Sequence, residues 1–163
     1  MQSVIVHYQE IALKGRNRPW FVERLVSNIR AATVDLGVVK VRALMGRIEL
    51  QYAFDDDWPE VRDRLARLPG IANFSRAVRT RCDIDAIADT MLGELRDVQV
   101  ESFRVTAKRA DKRFPMTSPQ IERELGGRIK LVRGWRVDLE HPELTVRVEI
   151  LNDEAFCYLR KEP

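Results

Sequence analysis

The order of strand-like and helix-like segments in the first half of the chain is the strongest constraint on its fold. Ser3 to Tyr8 contains consecutive β-branched residues, which are typical of a strand. Apolar residues from Phe21 to Ala32 recur at helical spacing and predict a helix. Two strands around Met45-Gly46, a short helix with Pro59 in its first turn and a strand from Ile71 to Thr80 follow. The order β-α-β-β-α-β predicts a ferredoxin-like domain over residues 1–80.

Local signals predict where these helices begin and end. Asn17 is a suitable N-cap for the first helix, and Leu36-Gly37 predicts its end, with the glycine as C-cap. Asp57 and Glu60 have the spacing of a capping box at the start of the second helix. Pro69-Gly70 is the predicted stop signal after that helix.

The second half of the chain repeats the alternation and predicts an α/β domain over residues 81–163. Asp83 is the predicted cap of a helix, and Phe103 to Lys108 is a predicted strand. Ser118 is the predicted cap of another helix, with Pro119 in its first turn. Two closing strands are predicted around the turn Asn152-Asp153. The apolar face of the Ser118 helix is predicted to hold Ile121, Leu125, Ile129 and Val132. The predicted fold class is α+β.

Positive charge is concentrated between Arg104 and Arg136, a segment that we call the basic stretch. It holds ten cationic and three acidic residues, a net charge of +7, whereas the whole chain carries +3. A local excess of this kind favours a polyanionic partner, and the aromatic and glycine residues among the charges favour nucleic acid. A solvated charged surface is the alternative interpretation.

Sequence motifs for catalysis are missing. The chain has neither a phosphate-binding glycine loop of the P-loop or dinucleotide type nor a Ser-Gly-Gly-x-Asp-Ser loop. His7 and His141 lack partners at ligand spacing, and Cys82 and Cys157 are isolated. We therefore expect no catalytic residue, metal site or cofactor in this chain. Its start lacks a signal-peptide pattern and its apolar runs are short, so a cytoplasmic location with free thiols is expected.

Two segments are candidate RNA contacts. The first runs from Tyr8 to Arg18, where cations and a glycine precede a helix N-terminus that favours anions. An ordinary solvated loop is the alternative there. The second joins the end of the strand at Lys108 to the outer side of the Ser118 helix. The predicted RNA-binding residues are Lys14, Arg16, Arg18, Arg79, Lys108, Arg109, Lys112, Arg113, Arg123 and Lys130.

Three further features of the basic stretch are open to two interpretations. Gly126-Gly127 lies inside a predicted helix, where each glycine costs roughly 1 kcal/mol relative to alanine. Close packing against another element explains this pair slightly better than close approach of RNA. Phe114 and Trp135 have rings that can stack on bases, although burial in the core is favoured for Trp135.

Several motifs in series resemble the tRNA 4-thiouridine synthetase family, the ThiI sulfurtransferases of thiamine biosynthesis. In order along the chain they read HYQEIALKGRNRPWFVERLVSNIR, LPGIANFSRA, FRVTAKRADKRFPMTSPQIERELGGRI and VDLEHPELTVRVEI. The resemblance covers essentially the whole chain. It implies an N-terminal ferredoxin-like domain followed by a THUMP domain, which together bind tRNA. It further implies that the THUMP domain holds the 3′ CCA end, so that uridine 8 reaches a separate catalytic domain.

The resemblance also implies what to expect outside this chain. The family's pyrophosphatase-type catalytic domain, which uses ATP and Mg and contains the catalytic cysteines, has no counterpart in this sequence. Cys82 and Cys157 therefore inherit no catalytic role, and the chain alone is expected not to be catalytic. The implied partners are tRNA, that catalytic domain, a cysteine desulfurase as sulfur donor and a second copy in the full-length homodimer. A THUMP-type adaptor for another tRNA-modifying enzyme and a basic protein-interaction module are the alternatives.

Overall fold

The computed structural model describes residues 2–9 and 18–163. The chain divides into two compact units, residues 1–77 with 160–163, and residues 78–159. In the described part of the chain, no helix is both long enough and apolar enough to cross a bilayer.

The first unit is a four-stranded antiparallel sheet with two helices. Its elements are β1 (Gln2–Tyr8), α1 (Arg18–Ala32), β2 (Val38–Leu44), β3 (Arg47–Tyr52), α2 (Trp58–Ala66) and β4 (Ile71–Arg81). The strand order is β2-β3-β1-β4, with β1 in the centre between β3 and β4. Buried Val4 and Leu50 of the sheet share one core with Ile29 of α1 and Leu65 of α2. The predicted order β-α-β-β-α-β and the α+β class are confirmed.

The second unit is a mixed sheet that also packs against two helices. It begins with the last residues of β4 and continues with α3 (Ile84–Glu94), β5 (Ser102–Arg109), α4 (Ser118–Arg133), β6 (Arg136–Val137), β7 (Leu144–Leu151) and β8 (Glu154–Tyr158). The strand order is β4-β8-β7-β5-β6, and β5 runs parallel to both β6 and β7. Ile87 and Met91 of α3 pack with Leu125 of α4 and Phe103 of β5 in one apolar core.

One helix-cap prediction and one turn prediction are confirmed in the second unit. Asp83 has extended backbone angles, and its carboxylate accepts a hydrogen bond from the Ala86 N–H at 2.9 Å, so it caps α3. Asn152 and Asp153 both adopt positive φ, +50° and +65°, between β7 and β8. This is the backbone of a two-residue hairpin turn whose twist matches the flanking strands.

The predicted C-terminal end of the first helix and the predicted cap at the start of the second helix are both wrong. α1 ends at Ala32, and Gly37 follows in a turn without a left-handed φ, so it is not the C-cap. Asp57 ends a 3-10 turn and has helical angles, φ −79° and ψ −14°, and its side chain makes no capping hydrogen bond. A capping side chain needs an extended backbone, so Asp57 and Glu60 form no capping box. Asn17 lies outside the described residues.

The N-cap of α4 lies one residue before the predicted position. Thr117 is the N-cap, and its hydroxyl accepts a hydrogen bond from the Gln120 N–H at 3.3 Å. The Gln120 side-chain oxygen accepts from the Thr117 N–H at 2.8 Å, which completes a capping box. Ser118 is the first helical residue, so its prediction as cap is wrong. Val132 is 63% exposed and does not belong to the apolar face.

The capping box gives a direct test with a neighbouring control. Thr117→Ala removes the hydroxyl acceptor, and we expect the free energy of unfolding to fall by about 1 kcal/mol. Ser118→Ala removes a similar hydroxyl inside the first turn and should change it far less. Urea denaturation of both variants measures the difference. Equal losses at the two positions would contradict the observed cap.

Candidate nucleic-acid interface

The basic stretch lies entirely in the second unit, on β5, the loop after it, α4 and β6. Its cations fall into two groups. One group binds acidic side chains or backbone carbonyls of the same unit, and the other has no such partner. The distinction matters because a cation that already neutralises a carboxylate adds little net charge to the surface.

Two arginines of the stretch form close ion pairs within the unit, each with two acids. Arg113 contacts Asp111 at 2.6 Å and Asp153 at 2.9 Å. Arg128 contacts Asp85 at 2.8 Å and Glu124, four residues earlier on α4, at 2.9 Å. Arg113 was among the predicted RNA-binding residues, and the structure gives it a role in holding the loop after β5.

Three more arginines donate hydrogen bonds to backbone carbonyls. Arg104 donates to the carbonyl of Leu139 at 2.8 Å, and Arg109 donates to that of Phe114 at 2.9 Å. Arg133 donates to the carbonyl of Val98 at 2.6 Å. Its guanidinium also lies 4.8 Å from the centroid of the Trp135 ring, a cation–π geometry. These arginines tie loops to the regular elements. Arg136 lies 3.8 Å from Asp138, a looser contact.

Asp111 is the buried acidic centre of the loop after β5. Only 3% of its surface is exposed. Its carboxylate accepts from the Arg113 side chain, from the Arg113 N–H at 3.1 Å and from the Asp153 N–H at 2.9 Å. The Arg113 guanidinium above all, with these two N–H groups, holds the pKa of Asp111 well below its usual range in spite of burial.

Four cations of the stretch have no hydrogen bond or ion pair with any residue that the structure describes. All four are exposed, and all four were predicted as RNA-binding residues. They are Lys108, Lys112, Arg123 and Lys130. Lys108 is the penultimate residue of β5, Lys112 lies in the following loop, and Arg123 and Lys130 lie on α4. Because no local acid neutralises them, they carry the available positive charge of this surface.

The remaining predicted residues have different surroundings. Arg79, on β4, lies 3.5 Å from Glu154. Arg18 is exposed at the start of α1. Lys14 and Arg16 lie outside the described residues. RNA contact by these four residues stays a prediction.

The two aromatic residues proposed as stacking platforms belong to the core. Phe114 is 7% exposed and Trp135 is 6% exposed. The Trp135 ring meets Phe103 edge to face, with centroids 5.9 Å apart. Neither ring offers a free face on which a base can stack, so stacking on them is excluded in this conformation.

Gly126 and Gly127 are not explained by close packing, which the sequence had slightly favoured. A Cβ atom added to either residue meets nothing within 4 Å. Both line a cavity of about 410 Å³ beside β5 and the chain around β6. Arg123 and Lys130 belong to its lining too. The sequence did not predict this cavity, and the unusual glycine pair inside a helix was its only signal.

The two cysteines do not provide a reactive thiol. Cys82 and Cys157 are free and unpaired with each other. Burial raises the pKa of Cys157 to about 12, and burial is also the main cause that raises the pKa of Cys82. Both thiols are therefore protonated at neutral pH, whereas a nucleophilic cysteine needs a thiolate.

Comparison with protein families agrees with the fold and its division. The family model described as the ThiI ferredoxin-like domain matches residues 3–75, and the THUMP domain model matches residues 81–160. The chain is a ThiI ferredoxin-like domain followed by a THUMP domain. The resemblance found in the sequence is thereby confirmed, and the four unpaired cations and the cavity all belong to the THUMP domain.

The relatives and the solved structures point to the same family. A probable tRNA sulfurtransferase of Moorella thermoacetica is 38% identical over 162 residues, which are 99% of this chain and 41% of the relative. A crystal structure from Pyrococcus horikoshii superposes with a TM-score of 0.87 at 32% identity, covering 99% of this chain and 55% of that one. A 4-thiouridine synthetase–RNA complex with bound ATP gives 0.79 at 28%, covering 99% and 42%. The chain spans about two fifths of the length of the curated relatives.

Because the pKa of Asp111 is lowered in the folded chain, we expect the stability of the THUMP domain to depend on pH in a specific way. Its pKa is lower in the folded than in the unfolded chain, so its stabilisation is present above the ordinary aspartate pKa of about 3.9 and is lost as the pH falls below it. Asp111→Asn should therefore lower the free energy of unfolding at pH 7. The difference from the original protein should shrink below about pH 4.

Urea denaturation between pH 2.5 and pH 7 measures this difference. Asp97→Asn is the matched control, because Asp97 is an exposed aspartate of the same domain. It should change stability little at any pH. A deficit of Asp111→Asn that stays constant across the pH range would contradict the assigned role.

Proposed function

We propose that this chain binds tRNA by its acceptor stem and 3′ CCA end and presents it to the catalytic domain of a tRNA sulfurtransferase. The product of that reaction would be 4-thiouridine at position 8. The observation that carries the proposal is the set of four exposed, unpaired cations on β5, the following loop and α4 of the THUMP domain. The similarity of this chain to a 4-thiouridine synthetase whose structure was solved with RNA also supports the proposal.

The chemistry of these cations suits a surface that binds the phosphate backbone of RNA. Lysine and arginine side chains that contact phosphates release condensed counterions, which gives affinity without reading the base sequence. Arg113 and Arg128 neutralise acids of their own unit, which leaves the unpaired cations to dominate the local charge. A surface of this kind positions an RNA for chemistry elsewhere, as a tRNA-binding module would.

The remaining parts of the reaction lie outside this chain in our proposal. ATP and Mg would bind a separate pyrophosphatase-type domain, and a cysteine desulfurase would supply sulfur. We propose a cytoplasmic setting, a homodimer for the full-length protein and a link to thiamine biosynthesis on the same basis. The same proposal includes RNA contacts by the remaining predicted residues, which are Lys14, Arg16, Arg18, Arg79, Arg109 and Arg113.

Removing the four unpaired cations should weaken tRNA binding and reduce its salt dependence. The variant carries Lys108→Gln, Lys112→Gln, Arg123→Gln and Lys130→Gln. Each lost phosphate contact lowers the slope of log K against log salt by about 0.7–0.9, so the slope should fall by about 3 in total. Fluorescence anisotropy with tRNA between 50 and 300 mM KCl measures both quantities.

Arg96→Gln is the matched control for this variant. Arg96 is an exposed cation of the same domain that lies outside the basic stretch. It should leave the affinity and the slope unchanged. Unchanged binding by the fourfold variant would mean that these residues form only a solvated surface.

The CCA end should contribute a separate part of the affinity. We expect a tRNA acceptor-stem hairpin with a 3′ CCA tail to bind more tightly than the same hairpin without it. The physical reason is that unpaired nucleotides offer base faces and edges that a duplex hides. Competition binding of the two hairpins checks this. Equal affinity would argue against acceptor-end binding, and co-purification with a protein but not with RNA would favour a protein-interaction module.

A further inference from the structure

Strand β2 is an edge strand of the first unit, and its register shows which of its backbone groups face outward. Among the described strands it pairs only with β3. Leu44 and Arg47 flank a two-residue hairpin turn, so they exchange hydrogen bonds, and every second residue of β2 before Leu44 also bonds to β3. Val41 and Ala43 lie between these positions. Their N–H and C=O groups therefore face away from β3, toward the open edge.

Two further observations agree with an open edge at β2. Arg30 of α1 donates a hydrogen bond to the Val41 carbonyl at 2.9 Å, as expected for a carbonyl that faces away from β3. The register shifts by one residue near the start of β2, which leaves Val39 as the extra residue of a bulge. An edge of this kind is a template on which another strand can pair.

Two adjoining depressions between this edge and α1 form one groove. They measure about 750 and 400 Å³, and Arg30 and Arg42 line both. Val34 and Val39 line the smaller one and are 81% and 60% exposed. Trp20 lines the larger one and is 62% exposed. Exposed apolar side chains that are grouped along a groove are typical of a protein-binding surface.

The charge of this groove is mainly positive. Among the described residues of its lining, Glu23 is the one acid, and the cations are Arg24, Arg30, Lys40 and Arg42. Arg42 is paired with Glu49 at 2.6 Å, whereas Lys40 is exposed and has no ion pair with any residue that the structure describes. Like charges disfavour pairing with a second copy of the same edge, and opposite charges favour an acidic strand. The lining therefore complements an acidic partner.

The two faces of β2 predict the side-chain pattern of a strand that pairs with it. Val41 belongs to the apolar core shared with α1. Lys40 and Arg42 alternate with Val41 and so lie on the opposite face of the sheet. An added strand has the same alternation, so its side chains on one face lie toward α1 and those on the other lie beside Lys40. A segment with alternating apolar and acidic residues suits both faces.

We propose that β2 and α1 form a docking site for an extended acidic segment of a partner protein, which adds a strand to the edge of this sheet. The site belongs to the ferredoxin-like domain, whereas the four unpaired cations belong to the THUMP domain, so the proposal does not depend on RNA binding. Nucleic acid is disfavoured at this edge because phosphates bind cations but do not use the alternating N–H and C=O groups of a strand.

An NMR titration of the 15N-labelled chain with the capped peptide Val-Glu-Val-Glu-Val-Glu-Val tests the proposal. The amide signals of Val41 and Ala43 should shift and their hydrogen exchange should slow, because their N–H groups gain acceptors. The same peptide with lysine in place of glutamate should bind about tenfold more weakly, because its charge matches that of the groove. Absence of shifts at these two amides would overturn the docking site.

Lys40→Glu reverses the charge beside the edge, so the Kd of the acidic peptide should rise about fivefold. Arg67→Glu is the matched control, because Arg67 is an exposed cation of the same unit that does not line the groove. It should leave the Kd unchanged. Equal weakening by the two variants would mean that the peptide responds only to overall charge, which would contradict the proposed site.

Ala43→Pro tests the backbone pairing itself. It removes an N–H that faces away from β3, so the fold should persist and the Kd of the peptide should rise about fivefold. If this variant melts at a lower temperature, peptides methylated on the valine or on the glutamate amide nitrogens replace it, and one of the two should lose binding to the original protein. Unchanged binding of both methylated peptides would exclude strand addition.

Two other occupants of the groove have distinct outcomes. Shifts of the Val41 and Ala43 amides with a tRNA acceptor-stem hairpin, but not with the acidic peptide, would assign the groove to RNA. Dimerisation in analytical ultracentrifugation that Ala43→Pro abolishes would assign it to a second copy of the chain. Either result would overturn the proposal and leave the proposed function of the THUMP domain to its own test.

Discussion

The carboxylate of Asp111 is the interaction on which the candidate interface depends. It joins the loop after β5 to the turn between β7 and β8 through the Arg113 side chain and two backbone N–H groups. A buried carboxylate is costly unless its acceptor positions are used, and here they are used by a cation and by fixed backbone groups. The loop that presents Lys112 is therefore anchored on both sides of that residue.

This anchoring separates charge that stabilises the domain from charge that remains available for a ligand. Arg113 and Arg128 are bound to acids of their own unit, and Arg133 is bound to a carbonyl and to the Trp135 ring. Lys108, Lys112, Arg123 and Lys130 remain exposed, and two of them, Arg123 and Lys130, line the same cavity as Gly126 and Gly127. Stability and recognition thus use neighbouring cations of the same stretch for different purposes.

Much of the fold was predictable because the periodic segments are long and the turn signals are local. The hairpin glycine Gly46 and the helix cap Asp83 act through their own neighbours in sequence. Some of the errors concerned choices between adjacent candidates. Thr117 and Ser118 both suit a cap, and only the backbone angles of the folded chain decide between them. Val132 has the right spacing for the apolar face, but it lies in the last turn of α4 and remains exposed.

The sequence by itself determined the order of elements, the family resemblance and the location of the positive charge. These properties follow from periodicity, motifs and residue counts, which need no long-range contacts. Only the tertiary structure decided which cations are available, because Arg113 and Arg128 meet acids 40 and 43 residues away in the chain, Asp153 and Asp85. It also decided that Gly126 opens a cavity, since the walls of that cavity come from β5, α4 and the chain around β6, which are brought together only by folding.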